Sequence, residues 1–156
     1  MKRILGQISS DIVYKYELYE HINKKIVLYD NDKKHCETKH MKEFKDKKTF
    51  HYVMDNLEYI INEPDYVFYV KGYDEVYNRV TNKKEKVNRY SLEYYKQLGQ
   101  DITVRVRVDN GRELKVKTVF PVNKEKIIHK MKKDDYYKYV ITKEEFNNRN
   151  DETSKC

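Results

Sequence analysis

The chain has no tryptophan, four glycines, two prolines and two cysteines in 156 residues. Few glycines and prolines leave little of the punctuation that many-stranded sandwiches and barrels need. Cys36 and Cys156 are too few for a disulfide scaffold, and the second is the last residue of a polar tail. A reducing, cytoplasmic setting is therefore expected. They also lack the CxxC spacing of a zinc site, and Cys36 with His35 and His40 matches structural-zinc spacing poorly, so no metal and no cofactor is expected. No apolar run approaches a membrane span, and Met1-Lys2-Arg3-Ile4-Leu5-Gly6 turns polar too soon for a signal peptide.

What is abundant is charge and tyrosine. Apolar and charged residues each make up 38% of the chain, and there are sixteen tyrosines, whose rings can fill a lean core while their hydroxyls stay wet. Lys and Arg number 33 against 26 Asp and Glu, a net charge of +7. A balance of that sign favours a polyanionic partner, nucleic acid ahead of membrane, although a solubilising lysine surface has the same composition.

Ile4, Leu5, Ile8, Ile12 and Val13 predict a short N-terminal helix. Lys25–Tyr29 reads as a buried strand ended by the turn former Asp30-Asn31-Asp32, with Lys34-His35-Cys36-Glu37-Thr38-Lys39-His40 directly after it on a loop or early helical turn. Thr49 is the expected N-cap of the clearest helix. There Phe50, Val53, Met54, Leu57, Ile60 and Ile61 recur at helical spacing until Pro64. Tyr66–Val70 predicts a strand, residues 73–90 a hairpin turning near Thr81–Lys84, and Ser91–Lys96 either strand or helix.

The best-defined element is the hairpin 102–120. Ile102, Val104, Val106 and Val108 alternate with Thr103, Arg105 and Arg107, and the second strand alternates Leu114, Val116, Thr118 and Phe120 with Lys115 and Lys117. A three-residue loop Asp109-Asn110-Gly111, with Gly111 left-handed, keeps one apolar face by pairing Val106 with Leu114. That register sets Arg105 opposite Lys115, Thr103 opposite Lys117 and Arg107 opposite Glu113. Like charges directly opposite are destabilising, so a face that tolerates Arg105 beside Lys115 points to an anion there. It also turns Thr118 toward the apolar side unless the strand bulges. After Pro121 the chain reads as a charged C-terminal helix and tail (124–156). Ile127, Ile128 and Met131 cap the core, and residues 143–156 are expected to be disordered.

The order of these pieces resembles the phage-type nuclease-like domains of the barnase–EndoU–colicin–RelE superfamily, the PBECR domains. The residues carrying the resemblance are His35 and His40 in KHCETKH, Glu63-Pro64-Asp65-Tyr66-Val67, Leu92-Glu93-Tyr94-Tyr95-Lys96, and the run from Val104 to Val122. The resemblance covers residues 4–123, and a nuclease domain is expected over 1–123. It implies an α+β fold: an antiparallel sheet of four to five strands with one to three helices on one face and a catalytic cleft on the other.

It also implies a metal-independent, toxin-like endoribonuclease of a phage or other mobile element. Its partners would be RNA (tRNA or mRNA) and an immunity or antitoxin protein. Such cleavage needs a base for the ribose 2′-OH, an acid for the leaving 5′ oxygen and cations for the phosphorane. His40 and His35 are the candidate acid–base pair. Arg105 and Lys117 would hold the phosphate, and Thr118 would supply a hydroxyl. Lys34, Lys39, Thr103, Arg107 and Lys115 would line the nucleic-acid path, with Tyr69 or Tyr95 stacking an unpaired base. The competing readings are a basic module that binds nucleic acid or a host protein without chemistry, and an inert accessory protein that keeps only the fold.

Overall fold

The computed structural model describes residues 1–131 and 140–142. Seven strands form one sheet: β1 (Lys2–Gln7), β2 (Lys25–Tyr29), β3 (Tyr66–Asn78), β4 (Lys83–Gln97), β5 (Thr103–Asn110), β6 (Leu114–Pro121) and β7 (Val140–Thr142). Their spatial order is β1-β2-β6-β5-β4-β3-β7. The architecture is α+β, with more strands than the expected four or five. It is also not wholly antiparallel. β2 and β6 run parallel, joined only at Ile26–Leu114 and Val27–Lys115. No local pattern in either strand announces that long-range pairing.

The helices are α1 (Ser10–Lys15), α2 (Asp30–His35), α3 (Lys47–Asp55), α4 (Leu57–Asn62) and α5 (Lys124–Met131). Residues Lys2–Gln7 are strand rather than helix. Ile4 is half exposed while Leu5 and Ile8 are buried, so the apolar spacing there reflects an edge strand running into α1, whose N-cap Ser9 accepts from the Asp11 amide. The N-cap of α3 is Asp46, which accepts from the Thr49 amide at 2.7 Å; Thr49 is the third helical residue. The long apolar stripe is broken at Asn56 into α3 and α4, and the helix ends before Pro64 as expected.

One face of the sheet carries Leu5, Ile26, Leu28, Val67, Leu92, Tyr94, Val104, Val106, Val108, Leu114, Val116 and Val119. These pack with Ile12, Val13, Phe50, Val53, Met54, Leu57, Ile60 and Ile61 of the helices in one buried cluster. Burying each large side chain contributes roughly 1.5–3 kcal/mol. Helices are not confined to that face. On the opposite face Ile127 of α5 packs on Phe68 and Tyr95 in a second, smaller cluster. Residues 143–156, expected to be disordered, lie outside the described residues.

The expected hairpin register is corrected. Asn110 pairs with Leu114, so the loop is Gly111-Arg112-Glu113, and no described glycine has positive φ. Arg105 lies opposite Phe120, not Lys115. Arg107 lies opposite Thr118, not Glu113. Lys115 pairs with Asp109, and Thr103 pairs with Gln97 of β4. Between Arg107–Thr118 and Val108–Val116 the ladder skips a residue of β6. This bulge lets Leu114 and Val116 face the core, turns both Lys117 and Thr118 away from it, and returns Val119 inward.

Candidate nuclease site

The bulge builds the site. Without it, strict alternation would bury Thr118 and Phe120 in the core. With it, Phe120 stands on the second face directly across from Arg105, whose guanidinium carbon lies 4.0 Å from the ring centroid. Beneath them on β4, Glu93 receives the Tyr95 hydroxyl at 2.9 Å and faces Arg105 across a 3.5 Å ion pair. The central row of this face is therefore a buried carboxylate holding an arginine over an aromatic ring.

His40 reaches the same ring from the segment that follows β2. β2 pairs with β6 only as far as Lys115, leaving the β6 edge at 117–119 without a strand partner among the described residues. The helical segment after β2 covers it. Acidic Asp30 and Asp32 open α2, and Lys33, Lys34 and His35 close it, a charge order that suits the helix dipole. The chain then widens into a π-helical turn over Cys36–His40 and a 3₁₀ turn over Met41–Glu43. Cys36 is fully buried, its sulfur 4.0 Å from the Lys117 carbonyl, and burial pushes its thiol up to about 11. The buried cysteine anchors the turn, and the histidines ride on it.

His40 lies edge-on to His35, with centroids 5.3 Å apart, and stacks on Phe120 at 5.7 Å. Its Nδ1 is 3.2 Å from Glu43 Oε2. An ionised carboxylate only accepts, so neutral His40 carries its proton on Nδ1 and leaves Nε2 as the base. His40 Nε2 is buried without a hydrogen-bond partner, and so are Thr118 Oγ1 and Arg105 Nε. Buried polar atoms without a partner normally have a ligand or water to complete them.

The remaining candidates are placed as follows. Lys117 Nζ bonds Asp32 Oδ1 at 3.2 Å, so its charge is compensated at the edge of α2. Lys34, His35 and Lys39 are exposed along the histidine segment. Arg107 is 3.8 Å from Asp109. Lys115 lies over the Tyr29 ring at 5.4 Å, at the parallel junction with β2. Tyr69 lies on the core face, the side of the sheet opposite Arg105 and Phe120, where it is half-buried and stacks with Tyr16 at 5.1 Å and Tyr90 at 5.4 Å. Tyr95 is on the site face but buried beneath Phe68 and Ile127, so it orients Glu93 instead of offering a stacking surface. Burial pushes its hydroxyl well above the usual tyrosine range.

Two clefts flank the end of β6. One, about 250 Å³, is walled by Tyr95, Arg105, Phe120, Val122, Asn123 and Lys126. The other, about 320 Å³, brings Thr103 beside Lys45, Thr49 and Asp101. Sequence reasoning missed Glu43, Glu93 and Lys126 as site residues. Glu43 had a local signal, a carboxylate three helical residues after His40. Glu93 stood within the quoted motif but needed the β4–β5 pairing to meet Arg105. Lys126 was set aside with the tail. Among the described residues, no three His, Cys, Asp or Glu side chains converge as metal ligands, and no helix is long and apolar enough to cross a membrane.

A family model described as phage-Barnase-EndoU-ColicinE5/D-RelE like nuclease3, PBECR3, matches residues 3–129. The match spans every element from β1 to the middle of α5. No curated protein and no solved structure matches the chain. The sheet, the cationic face and the family model agree, and the chain belongs to the PBECR3 family of phage barnase–EndoU–colicin E5/D–RelE-like nucleases.

Proposed function

We propose that the protein is an endoribonuclease that cleaves by 2′-OH attack, with His40 as general base. The observation that carries this is His40 itself. Its tautomer is set by Glu43, its ring stacks on the Phe120 ring that also carries Arg105, and its Nε2 is buried without a hydrogen-bond partner. In this reading Nε2 takes the 2′ proton as the 2′ oxygen bonds to phosphorus. The bond from phosphorus to the 5′ oxygen breaks, and His35 protonates the leaving oxygen. The product is a 2′,3′-cyclic phosphate. Arg105, held by Glu93, stabilises the charge on the phosphorane, and Thr118 donates to a phosphate oxygen. Lys117, tied to Asp32, positions the histidine segment against β6. The 250 Å³ cleft beside Arg105 takes the adjoining nucleotide.

A second reading, binding without cleavage, is favoured by one observation: Nε2 is enclosed, and a substrate must displace its cover before proton transfer. The test is incubation of the purified protein with end-labelled tRNA and total RNA in EDTA, alongside His40→Ala. Cleavage by the native protein and loss of about 10²–10⁴ in rate in the variant are expected. RNA bound but intact in both samples would sink the enzyme and leave the binding module. A toxin role predicts poor growth on expression, relieved by His40→Ala, and an antidote protein encoded with it.

A further inference from the structure

The pairing of β4 with β5 begins at Ser91, and that of β3 with β7 ends at Phe68. Beyond those points β3 and β4 pair only with each other among the described residues. They run from Lys71–Tyr90 to Asn78–Lys83 without a bulge. Eight residues of extended strand project roughly 25 Å. A two-stranded ribbon has little core of its own and is marginally stable alone, so an arm of this length is a costly feature unless something uses it.

Its tip is well built. Asn82 adopts φ 58° and its amide donates to the Asn78 carbonyl at 2.8 Å, while the Asn78 side chain accepts from the Val80 amide at 2.9 Å. Asn78 also donates to Glu85 at 3.0 Å, drawing that carboxylate into the turn. Glu75 lies across the ladder from Lys86. Arg79, Lys83 and Lys84 are exposed and have no ion pair among the described residues. Around them Val76, Tyr77, Val80 and Val87 are exposed, Val80 at the tip by 95%. Over residues 71–90 six Lys and Arg face three Asp and Glu, a net +3 on twenty residues.

We infer that this β3–β4 ribbon is a second RNA-binding element, which grips the sugar–phosphate backbone of the substrate away from the cleaved bond. The inference rests on the reading that RNA is the substrate, and extends it from the cleft to the arm. Cations on the turn and on both faces of a ribbon suit phosphate contacts, which position a nucleic acid without reading its sequence. Exposed Tyr77 and Val80 offer apolar contact to sugars and unpaired bases. The deep, narrow major groove of A-form RNA would not admit the ribbon, so it lies along the backbone.

The test is a triple variant, R79Q/K83Q/K84Q, with K83E/K84E as a second. All three side chains are exposed and their removal leaves the ladder intact, so an unchanged Tm is the folding control. Binding to tRNA is followed by fluorescence anisotropy across a salt series, and cleavage is compared on tRNA and on a trinucleotide too short to reach the arm. The triple variant is expected to bind tRNA about tenfold or more weakly, with a salt slope shallower by about two. Trinucleotide cleavage should be unchanged. Affinity and slope equal to the native protein's would overturn the inference and leave the unpaired ribbon edges to a strand-donating protein. If neither protein cuts any RNA but the salt-dependent binding still falls in the variants, the arm stands and the nuclease reading fails.

Discussion

Replacing Phe120 by leucine keeps an apolar side chain on the site face and deletes the ring that organises it. Two contacts are lost. The Arg105 guanidinium, 4.0 Å from the centroid and mostly shielded from solvent, gives up a cation–π interaction of about 1–2 kcal/mol. His40, stacked at 5.7 Å, gives up about 0.5–1.5 kcal/mol. If both contacts fix groups that act in the transition state, the sum, about 1.5–3.5 kcal/mol, corresponds to roughly a 10- to 300-fold loss in kcat/KM. Because Arg105 and His40 both act in the transition state, the loss should fall mainly in kcat, with KM little changed.

The assay is steady-state cleavage of a short fluorogenic RNA by Phe120→Leu, His40→Ala, Arg105→Ala and the double variants, with Tm measured for each. Added to His40→Ala, Phe120→Leu should cost only the Arg105 share, about 5- to 30-fold, and added to Arg105→Ala only the His40 share, because residues that act through one another are not additive. Full activity in Phe120→Leu, with His40→Ala inactive, would refute the claim that the ring assembles the site. Equal losses in every background would refute the coupling.

Two further outcomes follow from the packing. The Cys36 thiol, raised to about 11, is about 10⁻³ ionised at pH 8, so it should resist thiol reagents in the folded protein and react once the protein is unfolded in denaturant. Because its folded pKa lies above the unfolded one, this group favours folding below about pH 9 and loses that contribution as pH rises toward 11; fast native labelling of Cys36 would contradict its anchoring role. Gly6→Ala should lower stability by about 1–3 kcal/mol. An added Cβ would stand 2.5 Å from Asn62 Oδ1, while the Asn62 amide is held by the Leu5 and Glu58 carbonyls, and a Tm equal to the native value would show that Asn62 yields freely.

Much of this was legible in the sequence, and the failures have identifiable causes. Period-two alternation found β5 and β6, and helical spacing with Pro64 found α3 and α4. Alternation alone could not reveal the bulge at Lys117–Thr118, which adds one residue and changes which side chains share a face. The loop was misplaced because Gly111 was expected to need a left-handed conformation that it does not adopt. Leu5 and Ile8 fit a helix period by coincidence of an edge strand meeting α1. Tyr69 and Tyr95 looked alike in composition, and only the β3–β4 register sends one to the core and the other to the site face. The anionic half of the site, Glu43 and Glu93, was hidden by a search for cations, although it is these carboxylates that orient His40 and Arg105.

The central claim is attack by the ribose 2′-OH, and one substrate pair tests it most directly. Once the cleaved bond in an RNA is mapped, the same RNA is made with a single 2′-deoxy nucleotide on the 5′ side of that bond. The account predicts that the all-ribose RNA is cut to a 2′,3′-cyclic phosphate and that the substituted bond survives while binding is unchanged. Cleavage of the substituted bond at a comparable rate would contradict it, and with it the role given to His40.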